Sequence, residues 1–417
     1  MSTFLWTIVV LLPAADTSGA ANWPQFRGPG ANGDSEARDL PRTWDETQNV
    51  AWKTRIHGRG WSSPVIWESQ IWLTTATEDG RQLFAVCVDR DTGEILHDIR
   101  VFEVENPEHI AVVNSYASPT SAIEKGRVYV HYGTYGTACL DTKTGRIVWA
   151  RRDLNCDHHE GPGSSLMLFD KLLIFHVDGR DVQYVVALDK TTGQTVWKTE
   201  RSIDFTQYNE NFRKAFCTPI VIDWQGRKEL VSPGAKAVMA YDPYSGKELW
   251  KALYNGWSVT PRPLFGHGLL FVVTDFVRPE LWAIRPGGNG DVSETNVVWK
   301  LRKSIPKAPS LLLIGDLLFF VNDDGVAQCI EAKTGHVFWT ERIGGKHWAS
   351  PVFADGCIYF VDRDGVVTMI EPSRTFRRIG VNQMNEECMA SPAIAGRAIF
   401  LRTATSLYRL EKPLDDG

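Results

Sequence analysis

The chain has 417 residues, with 45 Lys and Arg against 50 Asp and Glu, which gives a formal net charge of -5 at neutral pH. This length allows either a few ordinary domains or one large repetitive domain with a substantial core. The negative charge and the lack of a basic stripe argue against a nucleic-acid-binding surface. The 35 Gly and 21 Pro predict many turns.

The N-terminal segment predicts export. Residues 4–12 form an apolar run, and small residues follow it up to Ala20. This pattern is typical of a signal peptide, here residues 1–20; a membrane anchor or a different chain start is the alternative. No Cys follows the run, which argues against a lipoprotein anchor, and no other stretch is long and apolar enough to span a bilayer. We therefore predict a periplasmic or secreted protein in which residues 21–48 form an N-terminal extension.

A unit of four short strands recurs from residue 49 to residue 417. Each unit opens with a short apolar strand, and all but one of these strands follow a Pro that is flanked by Ser, Thr or Ala. The openings are WSSPVIW (61–67), YASPTSA (116–122), GPGSSLMLF (161–169), FCTPIVI (216–222), SVTPRPLF (258–265), KAPSLLLI (307–314), WASPVFA (348–354) and MASPAIA (389–395). Four strands per unit at a period of about 41 to 55 residues are typical of propeller blades. The sequence therefore predicts an all-β, eight-bladed β-propeller with four-stranded antiparallel blades.

A second recurring string closes most units: a D-x-x-T-G turn followed by a strand with Trp. Examples are CLDTKTGRIVW (139–149), ALDKTTGQTVW (187–197), AYDPYSGKELW (240–250) and CIEAKTGHVFW (329–339). Gly takes the left-handed position of the turn without steric cost. We expect each large indole to pack across the interface to the next blade. The tryptophans predicted to dock in this way are Trp52, Trp149, Trp197, Trp250, Trp299 and Trp339; in the first unit His97 takes the position.

The two ends of the repeat predict how the ring closes. The last unit stops at LYRLEK (407–412) without its Trp strand, whereas NVAWKT (49–54) is a Trp-containing strand without a unit. Pairing the N-terminal strand with the C-terminal blade removes two exposed strand edges. We predict that the ring closes in this way.

The pattern A-x-D-x-x-T-G-x-x-x-W resembles the tryptophan-docking repeat of the quinoprotein propellers, and ALDKTTGQTVW matches it at every position. The resemblance extends over about residues 22–411 and is to the PQQ-like β-propeller repeat family of exported bacterial type. Its best-understood relative is the propeller lipoprotein of the outer-membrane β-barrel assembly machine. The resemblance implies the fold but leaves function open, because propellers include enzymes, scaffolds and binding proteins.

The family resemblance also raises the question of a cofactor. PQQ-dependent dehydrogenases of this type clamp the quinone between a Trp and a vicinal Cys-Cys ring, with Ca²⁺ held by Glu, Asn and Asp. This sequence has neither adjacent cysteines nor a C-x-x-C-H haem attachment site. We therefore expect no cofactor and no metal, with PQQ and Ca²⁺ as the alternative.

The predicted function is that of an exported, non-enzymatic binding or assembly module. The alternative is an enzyme with its active site at the central mouth, either a PQQ-dependent oxidoreductase or a carbohydrate-active lyase or hydrolase that uses His and carboxylate groups. No catalytic residue is assigned. A protein partner or a carbohydrate or other small molecule is expected at the mouth of a monomer, with no nucleic acid and no membrane span after signal cleavage.

The cysteines and polar clusters are interpreted as structural. Cys87, Cys139 and Cys329 occupy a small buried position of the repeat, whereas pairing between Cys156 and Cys388 is left open. CDHHEGPGSS (156–165) is interpreted as a polar loop, with metal binding as the alternative. The Ca²⁺-loop-like strings DGRD (178–181), NDDG (322–325) and DRDG (362–365) are interpreted as hairpin turns.

Residues just before each innermost strand are expected to meet around the axis and form a polar, aromatic rim. Its predicted ligand-binding members are Arg59, Trp61, Asn114, Tyr116, His158, Glu160, Arg213, Trp257, Arg262, Lys307, His347 and Trp348. Such a rim could hold a carbohydrate, a peptide or an anionic small molecule; a merely hydrated mouth is the alternative. If it is a site, five of these side chains should point into one funnel: Arg59, His158, Arg213, Arg262 and His347.

Overall fold

Tight turns containing Gly, Asp or Asn divide the chain into short strands that pair with their sequence neighbours. The computed structural model describes residues 22–413, so the predicted signal peptide, residues 1–20, lies outside the described residues. Strands are numbered along the chain, and β1 is Val50–Arg55. Within residues 22–413 the only helical turns are the 3₁₀ turns Gly133–Tyr135, Phe205–Gln207 and Glu210–Phe212. None of them is long and apolar enough to cross a membrane.

The strands form eight sheets, or blades, in chain order. Blade 1 contains β2 (Val65–Trp67), β3 (Gln70–Ala76), β4 (Gln82–Asp89) and β5 (Ile95–Glu103); blade 2 contains β6 (Ala122–Glu124), β7 (Arg127–His131), β8 (Thr137–Asp141) and β9 (Ile147–Arg151). Blade 3 contains β10 (Met167–Phe169), β11 (Leu172–Asp178), β12 (Gln183–Asp189) and β13 (Thr195–Glu200); blade 4 contains β14 (Ile220–Trp224), β15 (Arg227–Pro233), β16 (Ala237–Tyr241) and β17 (Glu248–Leu253).

The second half of the ring repeats this order. Blade 5 contains β18 (Leu264–Gly266), β19 (Leu269–Val273), β20 (Leu281–Ile284) and β22 (Val297–Leu301), and β21 (Gly290–Asp291) is added to blade 4. Blade 6 contains β23 (Leu312–Ile314), β24 (Leu317–Val321), β25 (Val326–Glu331) and β26 (Val337–Arg342); blade 7 contains β27 (Val352–Ala354), β28 (Cys357–Val361), β29 (Val366–Ile370) and β30 (Arg378–Gln383). Blade 8 contains β31 (Ala393–Ala395), β32 (Ala398–Arg402), β33 (Ser406–Leu410) and β1.

These sheets confirm the predicted propeller and its closure. Strand β1 pairs antiparallel with β33, with Lys53 opposite Tyr408 and Thr54 opposite Leu407. Glu386, which precedes β31, links β1 to blade 8. Its carboxylate accepts hydrogen bonds from the hydroxyls of Thr403 and Thr405 and lies 3.1 Å from Lys53 Nζ of β1. Burial alone would raise the pKa of Glu386, but these hydrogen bonds lower it to about 2. The closing strand is thus held by side-chain contacts as well as by the β-ladder.

Most of the repeated tryptophans bridge neighbouring blades. In five of them the indole Nε1 donates to a backbone carbonyl in the third-to-fourth-strand turn of the next blade. The pairs are Trp52 to Arg90 (3.0 Å), Trp149 to Lys190 (3.0 Å), Trp197 to Pro243 (3.0 Å), Trp299 to Ala332 (3.2 Å) and Trp339 to Ser373 (3.0 Å). A Cβ on Gly193 would lie 2.7 Å from the Trp149 ring, and this Gly has a φ of +74°. Glycine is needed there for both space and conformation.

Trp250 is different. Its Nε1 donates to Glu229 Oε2 within its own blade at 2.7 Å, and Trp250 is paired with Gly290 of the added strand β21. The parallel pairing of β21 with β17 was not predicted, because a two-residue strand has no hydrophobic pattern of its own. At the first interface His97 takes the Trp position, and its ring lies 3.0 Å from where a Cβ on Gly145 would be.

The N-terminal extension crosses the central channel. Trp23 exchanges two backbone hydrogen bonds of 2.8 Å with Ile66 of blade 1, and Pro24 accepts one from Ile123 of blade 2. Further along, the Phe26 carbonyl accepts a hydrogen bond from Arg262 at the start of blade 5, which lies opposite blade 1 in the ring. Gly33 and Ser35 then bond to both backbone groups of Phe353 in blade 7. We call the side of the ring on which the extension crosses the lower face. The upper face is the opposite side, which carries the turns between the second and third strands of each blade.

The cysteines and the Asp-rich strings are structural elements. All seven cysteines are free and buried, so Cys156 and Cys388 are not paired. The strings at 178–181, 322–325 and 362–365 are the turns between the second and third strands of blades 3, 6 and 7, which confirms the hairpin interpretation. In the last, Asp362 Oδ1 accepts the backbone N–H groups of Asp364 and Val366.

Candidate functional site

A funnel with a volume of about 450 Å³ opens on the upper face around the axis. Its walls are residues at the starts of the innermost strands and in the connections between blades, together with Phe276 from the turn between β19 and β20. The apolar lining consists mainly of Phe26, Trp61, Phe216, Phe276, Trp348 and Met389. Phe26 comes from the N-terminal extension, so the segment that crosses the channel also supplies part of the funnel's lining.

A ring of hydroxyl groups surrounds the axis, built from the Ser and Thr residues beside the repeated prolines. The backbone N–H of one blade donates to the hydroxyl of the next blade. The bonds are Ser63 to Thr120 (3.0 Å), Thr120 to Ser165 (2.9 Å), Ser165 to Thr218 (3.0 Å), Arg262 to Ser310 (3.0 Å), Ser310 to Ser350 (3.0 Å), Ser350 to Ser391 (2.9 Å) and Ser391 to Ser63 (3.1 Å). This ring explains why Ser or Thr recurs beside the proline.

The ring leaves hydrogen-bond donors free. Each of the seven hydroxyls accepts one backbone N–H, and none donates to an acceptor within residues 22–413. All but Ser310 line the funnel. Because a hydroxyl carries one donor and two lone pairs, the base of the funnel can donate hydrogen bonds to a ligand rich in acceptor oxygens.

Arg262 interrupts the ring at blade 5. Its side chain is directed away from the funnel and donates to the carbonyls of Phe26 (2.7 Å) and Pro219 (3.0 Å). Burial lowers the pKa of this guanidinium to about 10. Arg262 therefore fixes the position of Phe26, which forms the floor of the funnel. The Arg262 side chain itself does not face the interior of the funnel.

Four of the twelve predicted rim residues line the funnel: Trp61, Asn114, Glu160 and Trp348. Asn114 Nδ2 donates to the carbonyl of Glu160 at 2.8 Å, which joins two connections between blades. The carboxylate of Glu160 pairs with the buried ammonium of Lys214 at 2.9 Å.

The expected convergence of five basic side chains is wrong: Arg59, His158, Arg213, Arg262 and His347 do not line the funnel. Backbone groups bind most of them instead. Arg59 donates to the Val112 carbonyl, and Arg213 to the Tyr208 carbonyl. His158 Nε2 accepts the N–H of Thr134, and burial lowers the pKa of this imidazole to about 4. The ring nitrogens of His347 lie 3.0 and 2.9 Å from carbonyl oxygens, and burial lowers its pKa.

The remaining predicted residues stand behind the lining. Tyr116 donates its hydroxyl to the Glu108 carbonyl at 2.7 Å. Trp257 packs against Phe212, with ring centroids 4.3 Å apart, and Lys307 Nζ lies 5.9 Å from the centroid of the lining residue Phe276. Of these contacts, that of Lys307 is with a residue of the funnel wall. The prediction missed Phe26, Phe216, Phe276, Met389 and the hydroxyl ring; only the recurrent Ser and Thr offered a signal.

The buried histidine–carboxylate pair lies elsewhere. His176 and Asp178 of β11 are 3.8 Å apart, and Arg201 binds both oxygens of Asp178 at 2.7 Å. All three side chains are fully buried between blades 3 and 4 and do not line the funnel. Acid–base chemistry at the mouth would need a histidine–carboxylate pair. Among residues 22–413, the funnel lining does not contain one.

The funnel does not fit the calcium and quinone arrangement that the family resemblance implies. Among residues 22–413, Glu160 is the one carboxylate lining the funnel, and it is paired with Lys214. Ca²⁺ takes about six to eight oxygen ligands, commonly several carboxylates. No group of three or more His, Cys, Asp or Glu in the described part of the chain is placed to hold a metal ion. The loop at 156–165 therefore lacks a metal-ligating cluster.

Known structures share this architecture at low sequence identity. BamB from Moraxella catarrhalis is similar with a TM-score of 0.61 and 14% identity, over 86% of this chain and 99% of that chain. Quinohemoprotein alcohol dehydrogenase from Comamonas testosteroni gives a TM-score of 0.68 at 10% identity, over 96% and 82% of the two chains. The computationally designed protein Ika8 gives 0.60 at 11% identity, over 86% and 99%. Such likeness concerns the fold alone.

Sequence comparison is more specific. No curated protein matches the sequence. A family model described as outer membrane protein assembly factor BamB matches residues 42–287 and 181–411, which together span nearly all eight blades. The chain therefore belongs to the BamB family of PQQ-like β-propeller proteins.

Proposed function

We propose that this protein is an exported, non-enzymatic binding or assembly module that receives a loop of a partner protein at its upper mouth. The observation that carries the proposal is an apolar rim around a funnel lined with hydrogen-bond donors. Val112, Phe212 and Val277 are 85%, 39% and 54% exposed on the connections and turns around the mouth. Exposed apolar residues clustered at one place mark interaction sites on soluble proteins.

The funnel supplies what an inserted loop needs. Backbone carbonyls of the loop would accept hydrogen bonds from the free hydroxyls of Ser63, Thr120 and their equivalents. Apolar side chains of the loop would pack against Trp61 and Trp348. The name of the family, an assembly factor, supports a protein partner.

Two features support binding without catalysis. The one lining carboxylate, among the described residues, is neutralised by Lys214. Each ring hydroxyl accepts a backbone N–H and makes no hydrogen bond to a base within residues 22–413. A second candidate, carbohydrate binding, is favoured by the presence of Trp61 and Trp348 in the same lining as the hydroxyl ring, because aromatic rings and hydroxyls also suit sugars.

Site-specific photocrosslinking tests the proposal. A benzophenone amino acid is placed at position 112 or 277 on the rim, or as a control at Val196, which is 51% exposed on an outer strand. We expect one discrete protein adduct from the rim positions, weakened at least tenfold by Trp348→Ala, and none from position 196. Equal adducts from all three positions, or none from the rim, would contradict it. Thermal stabilisation of the purified protein by glycans alone would favour the carbohydrate alternative.

Export has its own test. If residues 1–20 are a signal peptide, mass spectrometry of the protein from the source cells should find a mature N-terminus near Ala21. An intact N-terminus at Met1 would refute cleavage.

A further inference from the structure

A second cavity of about 490 Å³ lies on the lower face, on the other side of the floor formed by Phe26 and Arg262. It is enclosed by the N-terminal extension and by the innermost strands of blades 3, 4 and 5, which are β10, β14 and β18. Exposed Pro29, Gly30 and Asp223 border it, so it opens to solvent. Its volume falls within the range of about 300–1,000 Å³ that is common for ligand sites.

The cavity exposes backbone groups that are paired elsewhere in the ring. Ile66, the middle residue of β2, directs its N–H and C=O to the axis and bonds both to Trp23. Phe353 in β27 is bonded in the same way by Gly33 and Ser35. The chain thus already adds extended segments to the inner edges of blades 1 and 7.

The equivalent residues at the cavity lack such a partner. Leu168 and Phe265 are the middle residues of β10 and β18, and Val221 is the second residue of β14. They lie opposite Leu173, Leu270 and Leu230, as Ile66 lies opposite Ile71. Because antiparallel pairs alternate, this register directs their N–H and C=O groups to the axis. No segment of residues 22–413 bonds to them there, and all three line the cavity and are only half-buried. Free strand edges of this kind bind extended peptides.

Two unpaired polar atoms add a chemical preference. Arg262 Nε and Gln25 Oε1 are buried without a hydrogen-bond partner among the described residues, and both residues line the cavity. Arg262 is 2% exposed. An unmade hydrogen bond of this kind costs about 1–3 kcal/mol.

The charges of the cavity point to an anion. Its lining contains Arg262, Lys228 and Asp223, and Asp223 pairs with Lys228 at 3.0 Å. Arg262 therefore has carbonyl partners but no carboxylate. Arg27, which is also buried and bonded to carbonyls, lies close enough that burial and the charge of Arg262 lower its pKa to about 9. An uncompensated buried cation is expensive, and an acidic ligand would relieve it.

We propose that the lower cavity is a docking groove for an extended acidic peptide segment of a partner protein. The segment adds as a strand to the inner edge of blades 3 to 5, and its carboxylate accepts the N–H of Arg262 Nε. The segment that the chain itself adds to blade 7 has the same character, because Asp34 and Glu36 flank Ser35. This site is separate from the upper funnel, so it does not depend on the function proposed there.

The test is binding of the purified protein to an array of acetylated, amidated heptapeptides with one Glu scanned through alternating Val and Thr. A matched array carries Gln in place of Glu. We expect binding of Glu members at least tenfold tighter than of their Gln counterparts. Val221→Pro, which removes a cavity-facing N–H outside the β14–β15 hydrogen-bond ladder, should weaken binding at least tenfold, as should Arg262→Gln. Ile394→Pro, at the same strand position in blade 8 and away from the cavity, should not.

Hydrogen exchange provides a second measurement that does not depend on substitution. The bound peptide should slow exchange of the Leu168, Val221 and Phe265 amides, and Trp348→Ala in the upper funnel should leave this protection unchanged. The proposal is overturned if no member of the array binds, if Glu and Gln members bind equally, or if Val221→Pro and Ile394→Pro behave alike. In that case ordered water alone satisfies Arg262 and Gln25.

Discussion

The contact between Trp149 and the next blade allows the stability of one blade interface to be measured. The side chain is 9% exposed, lies against Gly193 and donates Nε1 to the Lys190 carbonyl at 3.0 Å. Replacing a buried Trp by Ala costs about 3–5 kcal/mol. We therefore expect Trp149→Ala to lower the free energy of unfolding by that amount.

Replacement by Phe separates the hydrogen bond from the packing. Trp149→Phe keeps an aromatic ring but loses a hydrogen bond worth about 0.5–1.5 kcal/mol. Trp44 is a matched control: it is 3% exposed, and its Nε1 has no partner among residues 22–413. Trp44→Phe removes the same atoms, but it also removes a buried donor that has no partner. This offsets about 1–3 kcal/mol of the loss in unfolding free energy. Trp149→Phe should therefore be the more destabilising of the two by about 1.5–4.5 kcal/mol, which is the lost hydrogen bond and the relieved donor taken together.

Guanidinium denaturation followed by far-ultraviolet circular dichroism measures this difference. The comparison is valid if the slope of unfolding free energy with denaturant is the same for both variants. Equal midpoints for the two Phe variants would refute the bridging role of the indole N–H. A loss below about 1 kcal/mol for Trp149→Ala would refute the packing argument as well.

Three further outcomes follow from the same contacts. Gly193→Ala should destabilise more than Gly226→Ala by about 1–3 kcal/mol in denaturant titrations, because both have positive φ but only Gly193 faces an indole; equal losses would contradict this. The pKa of Glu386 is about 2 in the folded protein against an ordinary 4.5, so its stabilisation is complete above pH 4.5 and lost as the pH falls toward 2. Glu386→Gln should flatten the unfolding free energy over that range, and an unchanged pH profile would be inconsistent with the closure contact. Arg201→Met should cost about 3–5 kcal/mol because it leaves Asp178 buried and unpaired, and adding Asp178→Leu should recover much of the loss in a double-mutant cycle; no recovery would mean that the pair is not the cause.

The candidate site was predicted less well than the fold. Trp61 and Trp348 line the funnel, as expected, and each lies four residues before the start of an inner strand. His158 and His347 lie in similar positions in the sequence, yet their rings are turned into the protein by contacts with Thr134, Gly344 and Val361. Position along the chain indicates which loop carries a side chain, but not which way the loop turns it.

The sequence by itself determined the blades and their closure, because hairpin turns, short apolar strands and a strand without a unit are local features. Only the tertiary structure decided what fills the axis. Phe26 and Arg262 lie 236 positions apart and meet because the extension crosses the channel. The hydroxyl ring joins residues of successive blades, and its closing bond from Ser391 to Ser63 spans 328 positions. Contacts of this kind depend on the curvature of the closed ring, which brings the first strand of every blade to a common axis, and a local pattern carries no information about that geometry.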